Sequence, residues 1–570
     1  MLFPPLIAGA LLLAAIIINP FREMCTLDDS FAYARMVQHL LSTGQYRLDA
    51  WAAANMPVQT YLAAGLSEIF GYSLSLLRCT TIGLFAVGVA SFYRLLRDLG
   101  HSADAAAVLT LAIPATPLVL MLGFTFMSDV QFLGWQLLAL LLYVRGIRDR
   151  STTYMLVGSL ATGCAIGTRQ FGVAILIGLV VVWLRPSRYR PPARLLLAGI
   201  VVPLLVAIWQ IHIGFSSPNI TQTLRLKETY QFLRFPAPLL LKELVWRCAV
   251  LLQYVGMSLL ALLPLSFGLP RSVWKSRLFR TPVWLLILLA CFAVLVGLST
   301  ASAITARPAA RQNGLGTPLE MGWLLPAKLW KLPWFMWLLD LGGIAGGAVL
   351  LVLGIRSLRA LSHARPEKVL LAGTGLGLLS MHLVYRQLND TYVTALIPFG
   401  LLIVGEALPS LPQSRALIRA CAATAIIFIL GTALWMRAEY AAQEAIWNSA
   451  DKLLRPGVQP LDIWAPCWSD YHGSFDAWIA AGTPGYDDYA GLHYLDPLHD
   501  PYLLWLQSQW DRAHYRVLIS SSLTAPPGWQ LIAARSYLAA NLSRRYALSL
   551  VRTPESPQSS AESSAAPQVR

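Results

Sequence analysis

Long apolar runs recur along almost the whole chain and limit its possible folds more than any other feature. About 20 apolar residues in helical form cross the hydrocarbon core of a bilayer. Runs of spanning or near-spanning length lie at 2–19, 74–95, 103–122, 130–144, 154–184, 195–213, 244–265, 283–298, 334–355, 369–384, 392–408 and 417–435. The run at 154–184 is interrupted by Thr168-Arg169-Gln170, and counting it twice gives about 13 membrane helices. The residue content agrees, with 56% hydrophobic and 13% charged residues against about 25% charged in ordinary soluble domains. The expected fold is an all-α polytopic membrane protein. Its first run lacks a basic leader and a small-residue cleavage site, so it reads as a retained helix.

The formal net charge of +15 does not indicate nucleic acid, because most Lys and Arg fall in short loops between apolar runs, where they set orientation. Successive basic clusters occur at Arg94 and Arg97; at Arg145, Arg148 and Arg150; and at Arg185, Arg188, Arg190 and Arg194. Others are Arg271, Lys275, Arg277 and Arg280; Arg356, Arg359, Arg365 and Lys368; and Arg415 with Arg419. If every cluster is cytoplasmic, two crossings must separate each consecutive pair. Between Arg150 and Arg185 this requires a hairpin with Arg169 at its outer turn. The N-terminus is then inside and everything after Trp435 outside. The seven cysteines are scattered without a C-x-x-C pair, so neither a disulfide framework nor a zinc site follows.

The same parity puts several polar segments on the outer face. After the first span come Asp28 and Asp29, followed by Phe31, Ala34, Met36, Val37, Leu40 and Leu41 at helical spacing, which predicts an amphipathic helix on the membrane face. Two readings of the acidic pair stand: caps for that helix and its dipole, or working carboxylates where unpaired charge is costly. Asp129 opens the fourth span and Arg386 lies in a late turn; Arg307, Arg311, Lys328 and Lys331 lie in a long outer loop with Trp323 and Trp330, and Trp334 and Trp337 follow. Gly342, Gly343, Gly346 and Gly347 give overlapping G-x-x-x-G spacings, which predict close helix packing.

Past Trp435 the character changes. A helix-like stretch at 437–454 leads to strand-like runs at Tyr515–Ser520 and Tyr546–Val551. Between Arg455 and Arg512 Asp alternates with Trp and Tyr, with no Lys or Arg among them. That composition suits sugar hydroxyls, and equally a small packed domain touching the membrane interface. His493, Asp496, His499 and Asp500 have metal-ligand chemistry without ligand spacing. Asn219 and Asn541 begin glycosylation sequons. The expected division is a transmembrane unit at 1–436, an extracytoplasmic α/β unit at 437–552 and a disordered tail at 553–570.

Carboxylates, fixed cations and an interfacial aromatic belt on one face are what transfer of a sugar from a lipid phosphate to a hydroxyl needs. Four motifs carry a family resemblance: Asp-Asp-Ser-Phe-Ala-Tyr-Ala-Arg-Met after helix one, Phe-Met-Ser-Asp-Val at Phe126–Val130, Thr-Arg-Gln-Phe-Gly at Thr168–Gly172, and Tyr385-Arg386 with Asp390-Thr391-Tyr392. In these the chain resembles the GT-C membrane glycosyltransferases, in the branch of the lipid A aminoarabinose transferases and protein O-mannosyltransferases. The resemblance implies Asp28 as principal catalytic carboxylate, with Asp29 beside it and Asp129 as a second acid. Arg169 would contact the donor phosphate, with Arg386, Arg311 and Lys328 as further cations. It also implies a polyprenyl-phosphate-linked sugar as donor, a lipid, glycan or protein acceptor, an inverting reaction and, in some relatives, a divalent metal. Where many relatives have Lys-Pro-Pro in the first loop, this chain has Asn55-Met56-Pro57, which leaves donor identity open. A bacterial inner membrane is the expected location, with membrane lipids as partners and no nucleic acid. The alternative reading is a transporter or lipid flippase, whose charges would line a midplane path between two related halves.

Overall fold

A computed structural model describes residues 3–25, 28–52, 54–185, 191–216, 220–264, 333–361, 364–385, 390–407, 415–465, 467–473, 477, 513–539 and 543–553. The expected span at 283–298, the cations Arg307, Arg311, Lys328, Lys331 and Arg386, both sequon asparagines, the His493–Asp500 group and the tail beyond 553 lie outside them. So do Trp323 and Trp330.

The helices are α1 Phe3–Ile18, α2 Asp28–Thr43, α3 Pro57–Phe70, α4 Leu74–Asp98, α5 Ala103–Ala115, α6 Pro117–Gly123, α7 Ser128–Arg148, α8 Thr152–Thr168, α9 Val173–Trp183, α10 Ala193–Ser216, α11 Ile220–Leu233 and α12 Ala237–Met257. They continue as α13 Pro333–Ala360, α14 Pro366–Val384, α15 Asp390–Val393, α16 Ile397–Ala407, α17 Arg415–Asp451 and α18 Trp468–Tyr471. Among the described residues seven helices are long and apolar enough to cross a membrane, or eight if the bent pair α5–α6 is one span. The chain is an integral membrane protein of mostly helical build. The apolar helices Pro5–Ile18, Gln170–Trp183 and Ile397–Ala407 are shorter.

Local chemistry sets the boundaries. Ser73, Ser102 and Ser151 each accept a hydrogen bond from a first-turn amide, capping α4, α5 and α8. Pro114 and Pro117 flank the 72° bend between α5 and α6, where an amide donor is missing. Helix α7 ends on Arg145 and Arg148, cations that suit its C-terminal dipole. Arg145 and Arg148 both pair with Asp98 at the end of α4, so these two helices run parallel and finish together.

Glycine brings the helices close. A Cβ on Gly134 would stand 2.4 Å from Leu84 O, so α4 and α7 touch backbone to backbone. One on Gly256 would stand 2.3 Å from Gly343 O and 2.4 Å from Gly347 N, which is the close packing the glycine spacing predicts.

The interrupted run folds back at Arg169. Gly199 on α10 faces both Met155, early in α8, and Leu179, late in α9, so those two helices are antiparallel. The backbone at Arg169 is extended between them (φ −148°, ψ 136°).

Helix α2 forms where the periodicity predicts it. Its apolar residues Phe31, Ala34, Met36, Val37 and Leu40 are buried within the protein, with Phe31 against Trp51, instead of lying on the membrane face. Helix α17 runs without a break through residue 437; at 37 residues it is about 55 Å long, more than a bilayer core of about 30 Å needs. Its far end packs on a four-stranded sheet of β1 Ile463–Trp464, β2 Tyr515–Ser520, β3 Trp529–Leu538 and β4 Arg544–Arg552, in the order β1-β2-β4-β3. Strand β1 is parallel to β2, and the other pairs are antiparallel. Strand β2 coincides with one strand-like run and β4 includes the other. Strand β3, with its exposed small and polar residues and a bulge at Leu531/Ala533, showed no clean alternation to read.

Candidate active site

Helix ends and the turns beside them supply the site. The N-terminus of α7 presents Ser128 and Asp129, and the turn after α8 presents Arg169. Arg169 Nε donates to Ser128 Oγ at 2.9 Å and its Nη2 to Asp129 Oδ2 at 2.8 Å. The pair is deeply buried, with Arg169 6% and Asp129 2% exposed. The Arg169 guanidinium also lies 4.8 Å from the centre of the Tyr392 ring on α15, and Thr391 stands beside the Asp129 carboxylate.

Aromatic rings wall this pair on one side. Phe171 stacks on His382 at 4.5 Å and meets Tyr385 and Tyr392 edge-on at 6.0 and 5.5 Å. The His382 ring nitrogens lie 2.6 Å from Leu378 O and 3.0 Å from Tyr392 O, so His382 ties α14 to the late turn. Arg247 of α12, 1% exposed, donates from Nη1 to Tyr385 O at 2.5 Å and covers the Phe232 ring at 4.4 Å.

The first loop closes the other side. Asp29 Oδ1 accepts from Trp51 Nε1 at 2.7 Å and its Oδ2 from Tyr33 Oη at 3.4 Å. Tyr33 lies within electrostatic reach of Asp29, Arg169, Asp129 and Tyr392 together. Burial, and after it the Asp29 carboxylate, pushes the Tyr33 hydroxyl well above its ordinary pKa, so it keeps its proton and donates. The backbone of Asp28 opens α2; its side chain is not among the described groups.

Asn55, in the first loop, is buried and uncharged. Its carbonyl accepts from Gln170 and Gln210, each at 3.4 Å, and Gln59 donates to Phe126 O at 3.2 Å. Amides thus join the first loop to both the Arg169 turn and the approach to Ser128.

Among the described residues no three His, Cys, Asp or Glu side chains group as metal ligands. Asp29 accepts from an indole and a phenol and Asp129 from a guanidinium, so the carboxylate oxygens Asp29 Oδ1, Asp29 Oδ2 and Asp129 Oδ2 already serve N–H and O–H donors.

Of the sequence-derived candidates, Asp29, Asp129 and Arg169 come together; Arg311, Lys328 and Arg386 lie outside the described residues. Sequence reasoning passed over Tyr33, Trp51, Arg247 and His382. For Arg247 a signal existed, since a lone cation inside an apolar run is a functional hypothesis by default.

The model of the dolichyl-phosphate-mannose-protein mannosyltransferase family matches residues 54–211, a stretch containing Asp129 and Arg169. None of the curated proteins matches the chain. Among solved structures, the Saccharomyces cerevisiae protein O-mannosyltransferase Pmt1-Pmt2 complex, bound to the sugar donor, is 16% identical with a TM-score of 0.32 over 38% of this chain and 34% of its own. The present chain therefore spans about a third of that relative. Cupriavidus metallidurans ArnT bound to undecaprenyl phosphate is 15% identical with a TM-score of 0.37, covering 95% and 97% of the two chains. An Archaeoglobus fulgidus oligosaccharyltransferase tethered to an acceptor peptide is 12% identical with a TM-score of 0.35, covering 86% and 59%. The family match and the four motifs agree in direction: the chain resembles the GT-C glycosyltransferases.

Proposed function

We propose that this chain is a membrane glycosyltransferase of GT-C type that moves a sugar from a polyprenyl-phosphate carrier to a hydroxyl of a lipid, glycan or protein, with inversion at the anomeric carbon. The observation that carries this reading is the meeting, at one end of the bundle, of Asp29 with the buried Asp129–Arg169 pair under Tyr392. The acceptor hydroxyl gives its proton to Asp28 as its oxygen bonds to the anomeric carbon. The bond from that carbon to the phosphate oxygen breaks, and the electron pair leaves with the lipid phosphate. Arg169 faces the charge that develops there. Asp129 and Ser128 hold the plane of its guanidinium, so the cation is oriented before the reaction starts.

The remaining roles are proposals from the same reading. Arg386, Arg311 and Lys328 are further phosphate-facing cations; the site end of the bundle faces away from the cytoplasm of a bacterial inner membrane; and 437–552 forms the outer unit.

The test is transfer of radiolabelled sugar from polyprenyl phosphate by the purified protein in proteoliposomes. Transfer with inverted product stereochemistry supports the reading. Its absence with every polyprenyl donor, together with movement of the lipid-linked sugar between leaflets, would favour the flippase.

A further inference from the structure

The segment between α1 and α2, residues 20–25, forms a strap gripped from two sides. From inside, Arg78 of α4 is 2% exposed and its Nε donates to Pro20 O at 2.9 Å, its Nη1 to Met24 O at 2.8 Å and its Nη2 to Arg22 O. One guanidinium thus takes three carbonyls spaced two residues apart from three different nitrogens held in one rigid plane, where a lysine would have to bring all three to a single nitrogen on a flexible stem. On the strap's other side, Glu23 accepts from Leu74 N at 2.7 Å and from Ser75 N and Oγ at 3.2 and 2.5 Å, holding the strap to the start of α4. Arg22 pairs with Glu444 of α17 at 3.0 Å.

The grip reaches the second acidic motif as well. The Arg78 guanidinium lies 5.6 Å from the centre of the Tyr440 ring on α17, and the Tyr440 hydroxyl donates to Phe124 O, shortly before Ser128 and Asp129. Met24 and Cys25 are buried at 0% and 4% exposure. From Met24 to Asp28 the chain can extend at most about 14 Å, so the strap limits where α2 can start.

We propose that Arg78 is a positioning residue: by clamping the 20–25 strap it sets where Asp28 and Asp29 stand relative to the Asp129–Arg169 pair. This role rests on the glycosyltransferase reading above. It also has a reporter that does not depend on that reading, the Cys25 thiol inside the strap. Burial pushes this thiol up to about 12, while Arg78 and a hydrogen bond with Ser30 act the other way. Loss of the Arg78 charge with the strap still in place would push the thiol higher still and slow its alkylation. Faster alkylation of Cys25 therefore reports release of the strap.

The experiment uses the full chain in proteoliposomes, as wild type, Arg78→Lys and Arg78→Gln. It reads kcat and KM for the polyprenyl-phosphate sugar, and alkylation of Cys25 by N-ethylmaleimide at neutral pH from the labelled peptide. The expected result for Arg78→Gln is kcat lower by about 10- to 100-fold, KM little changed and Cys25 labelled several-fold faster. Arg78→Lys should fall between, and it carries the test if Arg78→Gln does not fold. Wild-type kcat with a protected Cys25 in both variants overturns the proposal. So does a fall in kcat with Cys25 still protected, or a rise in KM alone. If the wild type transfers no sugar while Arg78→Gln exposes Cys25, the clamp stands and the glycosyltransferase reading fails.

Discussion

Arg169 and Asp129 form a buried ion pair, Nη2 to Oδ2 at 2.8 Å, across 40 residues of sequence. Neither group is accessible enough for water to replace a lost partner, so removing one leaves an uncompensated interior charge. Asp129→Leu should destabilise the protein by about 3–5 kcal/mol, whereas Asp129→Leu with Arg169→Met should recover much of that loss. Thermal unfolding in detergent measures both. A double variant no more stable than the single one would mean that packing, not charge, dominates there.

On activity, Arg169→Lys keeps the charge but cannot donate to Ser128 and Asp129 through one planar fork. Its turnover in the proteoliposome assay should lie between wild type and Arg169→Ala. Equal turnover in all three would remove Arg169 from the donor-phosphate role.

The two first-loop acids should respond differently. If Asp28 is the general base proposed above, it supplies about 10²- to 10⁴-fold, and Asp28→Asn should cut turnover by that order with donor still bound. Asp29 accepts from Trp51 and Tyr33, and Asn keeps one acceptor oxygen, so Asp29→Asn should cost less. Trp51→Phe should resemble it. Undiminished transfer by folded Asp28→Asn protein would rule out the base assignment.

Close helix packing gives a prediction independent of function. Gly256→Ala forces a methyl against the backbone of Gly343 and Gly347 and should cost about 1–3 kcal/mol. At Gly431 nothing lies within 4 Å of a new Cβ, and alanine there should be neutral or stabilising by up to about 1 kcal/mol from helix propensity. The two melting temperatures compared in one detergent are the measurement.

Orientation is the last expectation open to test. The Asp98, Arg145 and Arg148 cluster lies at the opposite end of α7 from Asp129. A reporter fused after Arg150 should act in the cytoplasm, and one fused after Trp435 outside it. The reverse result would invert the whole assignment of faces.

What the sequence by itself determined is what depends on neighbours along the chain. Apolar runs must become helices in lipid because the backbone has no other partner there, and Ser and Pro at run boundaries mark where several of them start or bend. The acidic first-loop pair, Asp129 and Arg169 were visible for the same reason, as polar groups at the edges of apolar segments. Tertiary structure alone decided how those groups are used. That Asp129 neutralises Arg169, that Arg78 spends its donors on the carbonyls of Pro20, Arg22 and Met24, and that Arg247 reaches Tyr385 O are matters of which distant group fills a buried side chain's hydrogen-bonding capacity. A single arginine in an apolar run looks the same in sequence whether it anchors a loop or faces a substrate. Carbonyl oxygens, which every residue carries, leave no mark in sequence of the cation they will hold, and only the packed helices bring the two within reach.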